Sequence, residues 1–303
     1  MQEAYLNIYG VPTRVQTWGR WVEESYNKSE PEDLVLFIPG NPGVTQFYTS
    51  FLKRLHEELG YTVWILSHAG HELPKSKLRE APRLTDNEKI YGLEGQVNHK
   101  LAFIDTYVPK NARVYFVGHS IGAYVILDIL KKSWVKSNTK GAYLLFPAIE
   151  YLAQTENGWY MVNVVKYFIR ILLFLAWIFT ILPFILQFSL IKGYVLFYSI
   201  LNVHMRTIIN FIRPDVIDKV FYLAMDEMHN VKERETGVLL ENKTKIKLYY
   251  GANDGWSPQR YCKQLKRDIP DIDAEICTRN FEHAFVLRHP EEVAVMVAKW
   301  IKH

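Results

Sequence analysis

Cysteine is scarce in this 303-residue chain, which holds only Cys262 and Cys277. Two thiols cannot staple a domain of this size, so the fold must rest on an apolar core, and the pair reads as reduced thiols in a cytosol-facing protein. An excess of charge of one sign is lacking as well. The formal net charge is +4, a mild surplus that suits an anionic membrane surface. It is too small to argue for a nucleic-acid partner, and Lys and Arg nowhere form a dense stripe interleaved with aromatics, so none is expected. The opening "MQEAYLNIYGVPT" has neither the basic start nor the apolar run of a signal peptide. The sequons at Asn27 and Asn242, which matter only in the secretory lumen, therefore read as chance tripeptides. Repeats and low-complexity tracts are also missing. Apolar residues are plentiful, at 49% of the chain, enough to bury the core of one large domain with an insertion.

Short runs rich in Val, Ile, Tyr and Phe alternate with segments of helical period. "LVLFIP" (34–39), "TVWILS" (62–67), "RVYFVG" (113–118), "GAYLLFP" (141–147), "KIKLYYG" (245–251) and "AEICTR" (274–279) predict buried strands of a mainly parallel sheet. Helices are predicted over 45–59, 92–107, 121–132, 258–268 and 290–302, and "AYLNIYG" with "TRVQTWG" predicts an antiparallel hairpin at the sheet edge. Strand followed by helix, repeated, predicts an α/β sandwich with right-handed crossovers. The alternation breaks between 150 and 240. The chain thus divides into a first core part (1–149), a helical cap (150–240) and a second core part (241–303).

Gly118-His119-Ser120-Ile121-Gly122 matches G-x-S-x-G, a pattern too short to carry an argument alone. Its setting carries one. An apolar strand ends at Gly118, and a helix bearing Ile121, Val125, Ile126 and Ile129 follows at once. That is the strand-turn-helix of a nucleophile elbow, in which a serine is held in a strained turn at the C-terminal edge of a sheet. The competing interpretation is a serine that merely caps the helix.

An elbow serine needs an acid and then a histidine, in that chain order. Asp254 follows the strand "KIKLYYG", and His283 follows "AEICTR", so both stand in loops at strand C-termini, where sites of open α/β sheets collect. His283 would take the Ser120 proton, and Asp254 would hold the imidazole's tautomer and stabilise its charged form. A turn Asp bonded to its own backbone and a surface His are the alternatives. His289 precedes Pro290 and reads as a helix start, while Asp128 lies inside a helix. For an oxyanion, two backbone N–H groups are required. Ile121 supplies one, and "PGNPG" (39–43) the other, with Asn41 the donor because Pro42 has no N–H.

Taken together, "FIPGNPG", "SHAGHEL", "IYGLEGQVNHKLAF", "GHSIGAY", "LLFPAIE", "YYGANDGW" and "HAFV" resemble the lipid droplet-associated hydrolases, a branch of the α/β-hydrolase superfamily. The likeness runs from about residue 34 to 287. It implies an α/β-hydrolase fold and Ser120, Asp254 and His283 as a catalytic triad. It also implies location on lipid droplets and the cytosolic face of the endoplasmic reticulum membrane, and hydrolysis of neutral lipid esters, sterol esters above all. No cofactor is implied. A rival function on the same scaffold is a droplet-coating or tethering protein of weak catalytic power.

The residues offer their own reason for a lipid surface. From Ile171 to Ile191 the chain runs 21 residues without a charge, flanked by Lys166, Arg170 and Lys192. Hydropathy alone predicts a membrane-spanning helix. A single crossing would separate Ser120 from Asp254 and His283, so the run must enter and return as a hairpin, or not enter. Pro183 stands mid-run, where it stops a helix. The 12 residues before it would form an arm of about 18 Å, suited to one leaflet. Trp159, Tyr160, Tyr167, Trp177, Tyr194 and Tyr198 could rest at the polar boundary. The alternative is an ordinary soluble lid. His68, His71 and Glu72 have poor metal-ligand spacing and predict a loop at the active-site rim; His99 predicts a packed polar residue bonded to a neighbouring loop.

Overall fold

The computed structural model describes residues 1–25, 30–74 and 80–303. The Asn27 sequon lies outside the described residues. The other is closed to modification in the folded state, since Asn242 is buried and its amide donates to the Val238 carbonyl at 2.8 Å.

Eight strands form one sheet in the order β1-β2-β4-β3-β5-β6-β7-β8. The edge hairpin β1 (Gln2–Ile8) and β2 (Val11–Trp18) is antiparallel. Strands β3 (Asp33–Ile38), β4 (Thr62–Leu66), β5 (Arg113–His119), β6 (Thr139–Leu145), β7 (Ile246–Tyr250) and β8 (Asp273–Ile276) run parallel. This is the α/β-hydrolase sheet expected from the alternation of apolar runs and helical periods. Buried on both faces, the central strands read as unbroken apolar runs: Leu34 to Ile38 are all inaccessible to water. The sheet's two edges are β1, whose residues are mostly exposed or half-buried, and β8.

The helices, in chain order, are α1 (Thr49–Leu59), α2 (Glu88–Tyr91), α3 (Leu93–Tyr107), α4 (Ile121–Ile129), α5 (Ser133–Asn138), α6 (Glu156–Tyr160), α7 (Lys166–Ile181), α8 (Phe184–Phe197), α9 (Met205–Phe211), α10 (Pro214–Asn230), α11 (Thr236–Glu241), α12 (Gln259–Asp268) and α13 (Pro290–Lys302). One hydrophobic cluster lies under α3, α4 and α12, and a second holds α1 and α13 on the opposite face. Helices α6 to α11 fill the interval between β6 and β7. Leu223 and Met228 of α10 and Leu239 of α11 share the first cluster with the sheet, so the insertion is welded to the core at its base.

Within it, α7 and α8 form a helical hairpin. Helix α7 is the last part of a longer helix: α6, a π-helical turn at Met161–Val165 and α7 continue one another over Glu156–Ile181, 26 residues, against the 12-residue arm expected before Pro183. The start is set by Thr155, whose hydroxyl accepts the Gly158 N–H at 3.1 Å. Its end comes at Pro183, as the ring demands: Leu182 is extended and Pro183 caps α8. The hairpin is no free arm. Helix α7 packs on α10, and α8 packs on α9 through Ile191 and Val195. Its other face carries Ile171, Leu175, Ile181, Ile185 and Phe197, each more than half exposed. Among the described residues, nearly every exposed large apolar side chain lies between Trp159 and Val203.

Candidate active site

Ser120 sits at the tip of β5 with φ 54° and ψ −122°, a strained conformation for a side-chain-bearing residue. Neighbouring residues make it possible. A Cβ on Gly122 would collide with the Ile38 and Pro39 carbonyls, and one on Gly118 would lie 2.9 Å from the Gly122 carbonyl oxygen. Ser120 N–H donates to the Leu145 carbonyl at 3.0 Å, and the Ser120 side chain makes no cap bond to α4. The capping interpretation of this serine is therefore excluded by geometry.

Its hydroxyl points instead at His283, whose Nε2 is 2.9 Å from Oγ. His283 Nδ1 donates to Asp254 Oδ2 at 2.7 Å. The other Asp254 oxygen accepts the Trp256 and Ser257 N–H groups at 2.8 and 3.1 Å. Asp254 is thus both the turn residue of one interpretation and the histidine partner of the other. Burial alone would raise its carboxyl; the hydrogen bonds from His283 and the two N–H groups outweigh that and hold it below its usual value, ionised at neutral pH. Three residues up to 163 positions apart in the chain converge in one hydrogen-bonded line.

The loop after β3 lies against this line, with a Cβ on Gly40 falling 2.9 Å from the Ser120 Cβ. Its N–H groups are largely spoken for. Gly40 N–H donates to the Tyr48 hydroxyl at 3.0 Å, Pro42 has none, and Gly43 N–H donates to the Gly40 carbonyl at 2.5 Å. Asn41 N–H remains. The Asn41 side chain faces away, its amide donating to the Val220 carbonyl at 3.1 Å and Glu227 Oε1 at 3.2 Å.

Sequence reasoning missed His119, although it stands inside the motif. Its Nε2 donates to the His283 carbonyl at 2.8 Å, and its Nδ1 accepts from the Tyr48 hydroxyl at 2.7 Å. It therefore ties the Gly40 loop to the His283 loop. Burial lowers its pKa to about 3, so it is neutral. In the unfolded chain a histidine titrates near 6.5, so the unfolded state takes up a proton that the folded state refuses. The stabilising contribution of neutral His119 is whole above about pH 6.5 and shrinks as pH falls toward 3. Between pH 7.5 and pH 5 the protein is expected to lose about 2 kcal/mol more than a His119→Gln variant in denaturant titrations. Equal losses in the two proteins would refute this.

His68, His71 and Glu72 do not stand at the rim. They are buried beneath the same loop and brace it: His71 Nδ1 donates to the Pro42 carbonyl at 2.6 Å, and Glu72 accepts the Thr45 N–H at 2.6 Å. No cluster of three or more His, Cys, Asp or Glu suited to a metal ion occurs among the described residues. His99 is packed as foreseen, bonded to Thr13 at 2.7 Å and to Lys100 at 3.1 Å. Lys100 itself was invisible to sequence reasoning; burial pushes its ammonium well below the usual range.

A cavity of about 510 Å³ opens over Ser120's partners, with Asn41, His119 and His283 on its floor. Its walls are apolar: Ile191 and Tyr194 of α8, Phe211, Leu287 and their neighbours. A separate cavity of about 270 Å³, bordered by Arg14, Glu72 and Arg213, lies beyond Phe211 and Ile212 and touches none of the three aligned residues.

The family described as "Lipid-droplet associated hydrolase" matches residues 31–286. The chain belongs to that family. A lipid droplet-associated hydrolase of Drosophila melanogaster is 41% identical over all of this chain and 98% of its own length. The rat protein of the same description is 34% identical over all of this chain and 95% of its own. Among solved structures, an esterase from Exiguobacterium antarcticum superposes with a TM-score of 0.63 over 100% of both chains, at 16% identity. A thermophilic esterase from Thermogutta terrifontis gives 0.64 over 100% of this chain and 98% of its own, at 14% identity. At such low identity these likenesses speak for the fold. Family membership and the fold together make the chain a hydrolase of the α/β-hydrolase class.

Proposed function

We propose that the chain is a serine esterase that works on neutral lipid esters at a lipid surface. The observation that carries this is the line Ser120–His283–Asp254, hydrogen-bonded at 2.9 and 2.7 Å, whose histidine borders an apolar cavity walled in part by Ile191 and Tyr194 of the exposed apolar hairpin. Ser120 Oγ attacks the ester carbonyl carbon while His283 Nε2 removes its proton. The oxyanion that forms is held by the N–H groups of Ile121 and Asn41. His283 then returns the proton to the leaving alcohol, and the acyl group stays on Ser120. Water, deprotonated by His283, releases the fatty acid and regenerates the serine. Asp254 keeps His283 in the tautomer with its proton on Nδ1. Protein groups and water suffice for every step. Asp254→Asn is expected to keep the fold and lower kcat by about 10⁴-fold, since the wrong tautomer is then favoured; a loss under about tenfold would remove Asp254 from the mechanism.

The substrate class follows from the lining. An apolar cavity binds fatty acyl or sterol groups by excluding water, with few polar contacts to fix orientation. Delivery of such esters from an aqueous phase is slow, whereas the hairpin supports direct transfer out of lipid. In an apolar medium its polar groups would need internal partners, and three of its uncharged polar side chains have them. Gln187 donates to the Phe179 and Leu182 carbonyls at 3.1 and 3.0 Å, Thr180 to Trp177 at 2.7 Å and Ser189 to Ile185 at 2.8 Å. Because the pair returns to the side it came from, it suits a droplet monolayer and the cytosolic leaflet of the endoplasmic reticulum alike. The test is a panel of sterol, retinyl and glyceryl esters in emulsion offered to purified protein; absence of hydrolysis across the panel would overturn the esterase reading. One observation favours a second role: the apolar outer face does not involve Ser120. Droplet coating or tethering would persist when the serine is replaced.

A further inference from the structure

We propose that Glu227, on the cap helix α10, is a positioning residue for ester hydrolysis: with the Val220 carbonyl it clamps the Asn41 side chain and thereby aims the Asn41 backbone N–H at the ester oxygen. The inference rests on the esterase reading, but it concerns a residue outside the aligned three. Glu227 is buried, makes no ion pair among the described residues, and has Asn41 as its hydrogen-bond partner at 3.2 Å. A carboxyl so placed is costly without a purpose. Burial raises its pKa to about 8, a change that the Asn41 bond only partly offsets and that Asp226 beside it reinforces. At neutral pH it is an uncharged acceptor, which does not oppose the negative oxygen that forms near Ser120.

The clamp is directional. Val220 O can only accept, so the Asn41 amide nitrogen must face α10, and both its hydrogens are then engaged by one helix, at 3.1 and 3.2 Å. That leaves the Asn41 side chain no part in binding the ester. Its backbone N–H is the loop's donor, because Gly40 and Gly43 N–H are committed elsewhere and Pro42 has none. The direction of that N–H is set by the peptide plane, which the pinned side chain holds. Helix α10 also packs against α7 of the hairpin and against α3. One buried carboxyl therefore joins the helix that supports the lipid-facing hairpin to the loop that stabilises the transition state.

The test compares Glu227→Leu, Glu227→Gln and Asn41→Ala with the unaltered protein. Asn41→Ala keeps the backbone N–H and loses the clamp. Readouts are kcat and KM on p-nitrophenyl butyrate, the rate of labelling by a fluorophosphonate, and the thermal midpoint. Glu227→Leu is expected to lower kcat by about 10- to 100-fold, less than the 10²- to 10³-fold that follows outright loss of an oxyanion donor, with KM within about threefold. Glu227→Gln, which retains an uncharged acceptor, should stay within about threefold in kcat. Asn41→Ala should match Glu227→Leu, and the double variant should be no worse than either, because both cut one tether. A Glu227→Leu protein of unchanged midpoint with kcat within threefold of normal would overturn the proposal. So would losses that multiply in the double variant, or an equal loss in Glu227→Gln. If Glu227→Leu melts early, Asn41→Ala decides alone by the same kcat criterion. Failure of the esterase reading is distinguishable: the unaltered protein would then neither hydrolyse the ester nor take the label.

Discussion

Ser120→Ala is expected to lower kcat for ester hydrolysis by about 10⁵-fold or more and to abolish covalent labelling by a fluorophosphonate. In the structure, the Ser120 hydroxyl has one hydrogen-bond partner, His283 Nε2 at 2.9 Å, and no cap bond to α4. Removing it leaves no buried donor stranded in the core. The backbone at residue 120 is already strained, and alanine occupies φ 54° no worse than serine does. The thermal midpoint should therefore stay within a few degrees, or rise, as is usual when a strained functional group is removed. Loss of activity with an intact fold locates the chemistry at this oxygen. Asp254→Asn provides the graded comparison, since it spoils the tautomer but leaves the nucleophile. Labelling that survives in Ser120→Ala would sink the assignment, whatever the activity.

The second large effect concerns the hairpin. A triple variant, Leu175→Glu, Ile181→Glu and Ile185→Glu, is expected to weaken partitioning onto phospholipid-coated triacylglycerol droplets by at least about 10³-fold. All three side chains are more than half exposed, so the exchange costs the fold little. On the lipid-bound state it acts twice. Each site forfeits roughly 1 kcal/mol of apolar transfer, and each carboxylate must be kept at the interface or desolvated at further cost. A total of about 4 kcal/mol or more corresponds to the stated factor. Hydrolysis of a soluble butyrate ester should not change, because none of the three borders the cavity over His283. Undiminished flotation with droplets would refute the lipid-facing role. Deletion of residues 165–205 is the blunter experiment, and the structure explains why: Ile191 and Tyr194 wall the cavity and Val195 is buried against α9. Deletion would remove anchor and substrate site at once.

Much of the sheet was legible because its central strands are buried on both faces, which forces runs such as Leu34 to Ile38 into unbroken apolarity. The elbow was legible because close approach of β3 to α4 tolerates only glycine at 122. Asp254 and His283 could be chosen among many acids and histidines because each stands in the loop after a strand. Other features left no local mark. The continuous helix that ends in α7 is longer than expected because charge-free residues were taken as its limits, whereas Thr155 caps α6 and starts that helix well before them. His68 and His71 were placed at a rim because polar residues in a loop read as exposed; the loop after β3 covers both, Gly43 lying where any Cβ would strike the His68 ring and the Pro42 carbonyl accepting from His71. Lys100 and Glu227 gave no sign at all, as burial of a charge-bearing side chain depends on elements distant in the chain.

The order of apolar runs, turns and helical periods along this chain suffices for the sheet, the elbow, and the expectation that the apolar insertion makes no single crossing of a membrane. Such features are local, governed by backbone sterics and by which residues water excludes. Which groups become neutral and which loops are braced emerged only on folding. Neutral Glu227 and neutral His119 exist because α10, Tyr48 and the His283 loop arrive from far along the chain and shut out water. Desolvation is a property of the assembled surroundings, and no residue carries it by itself.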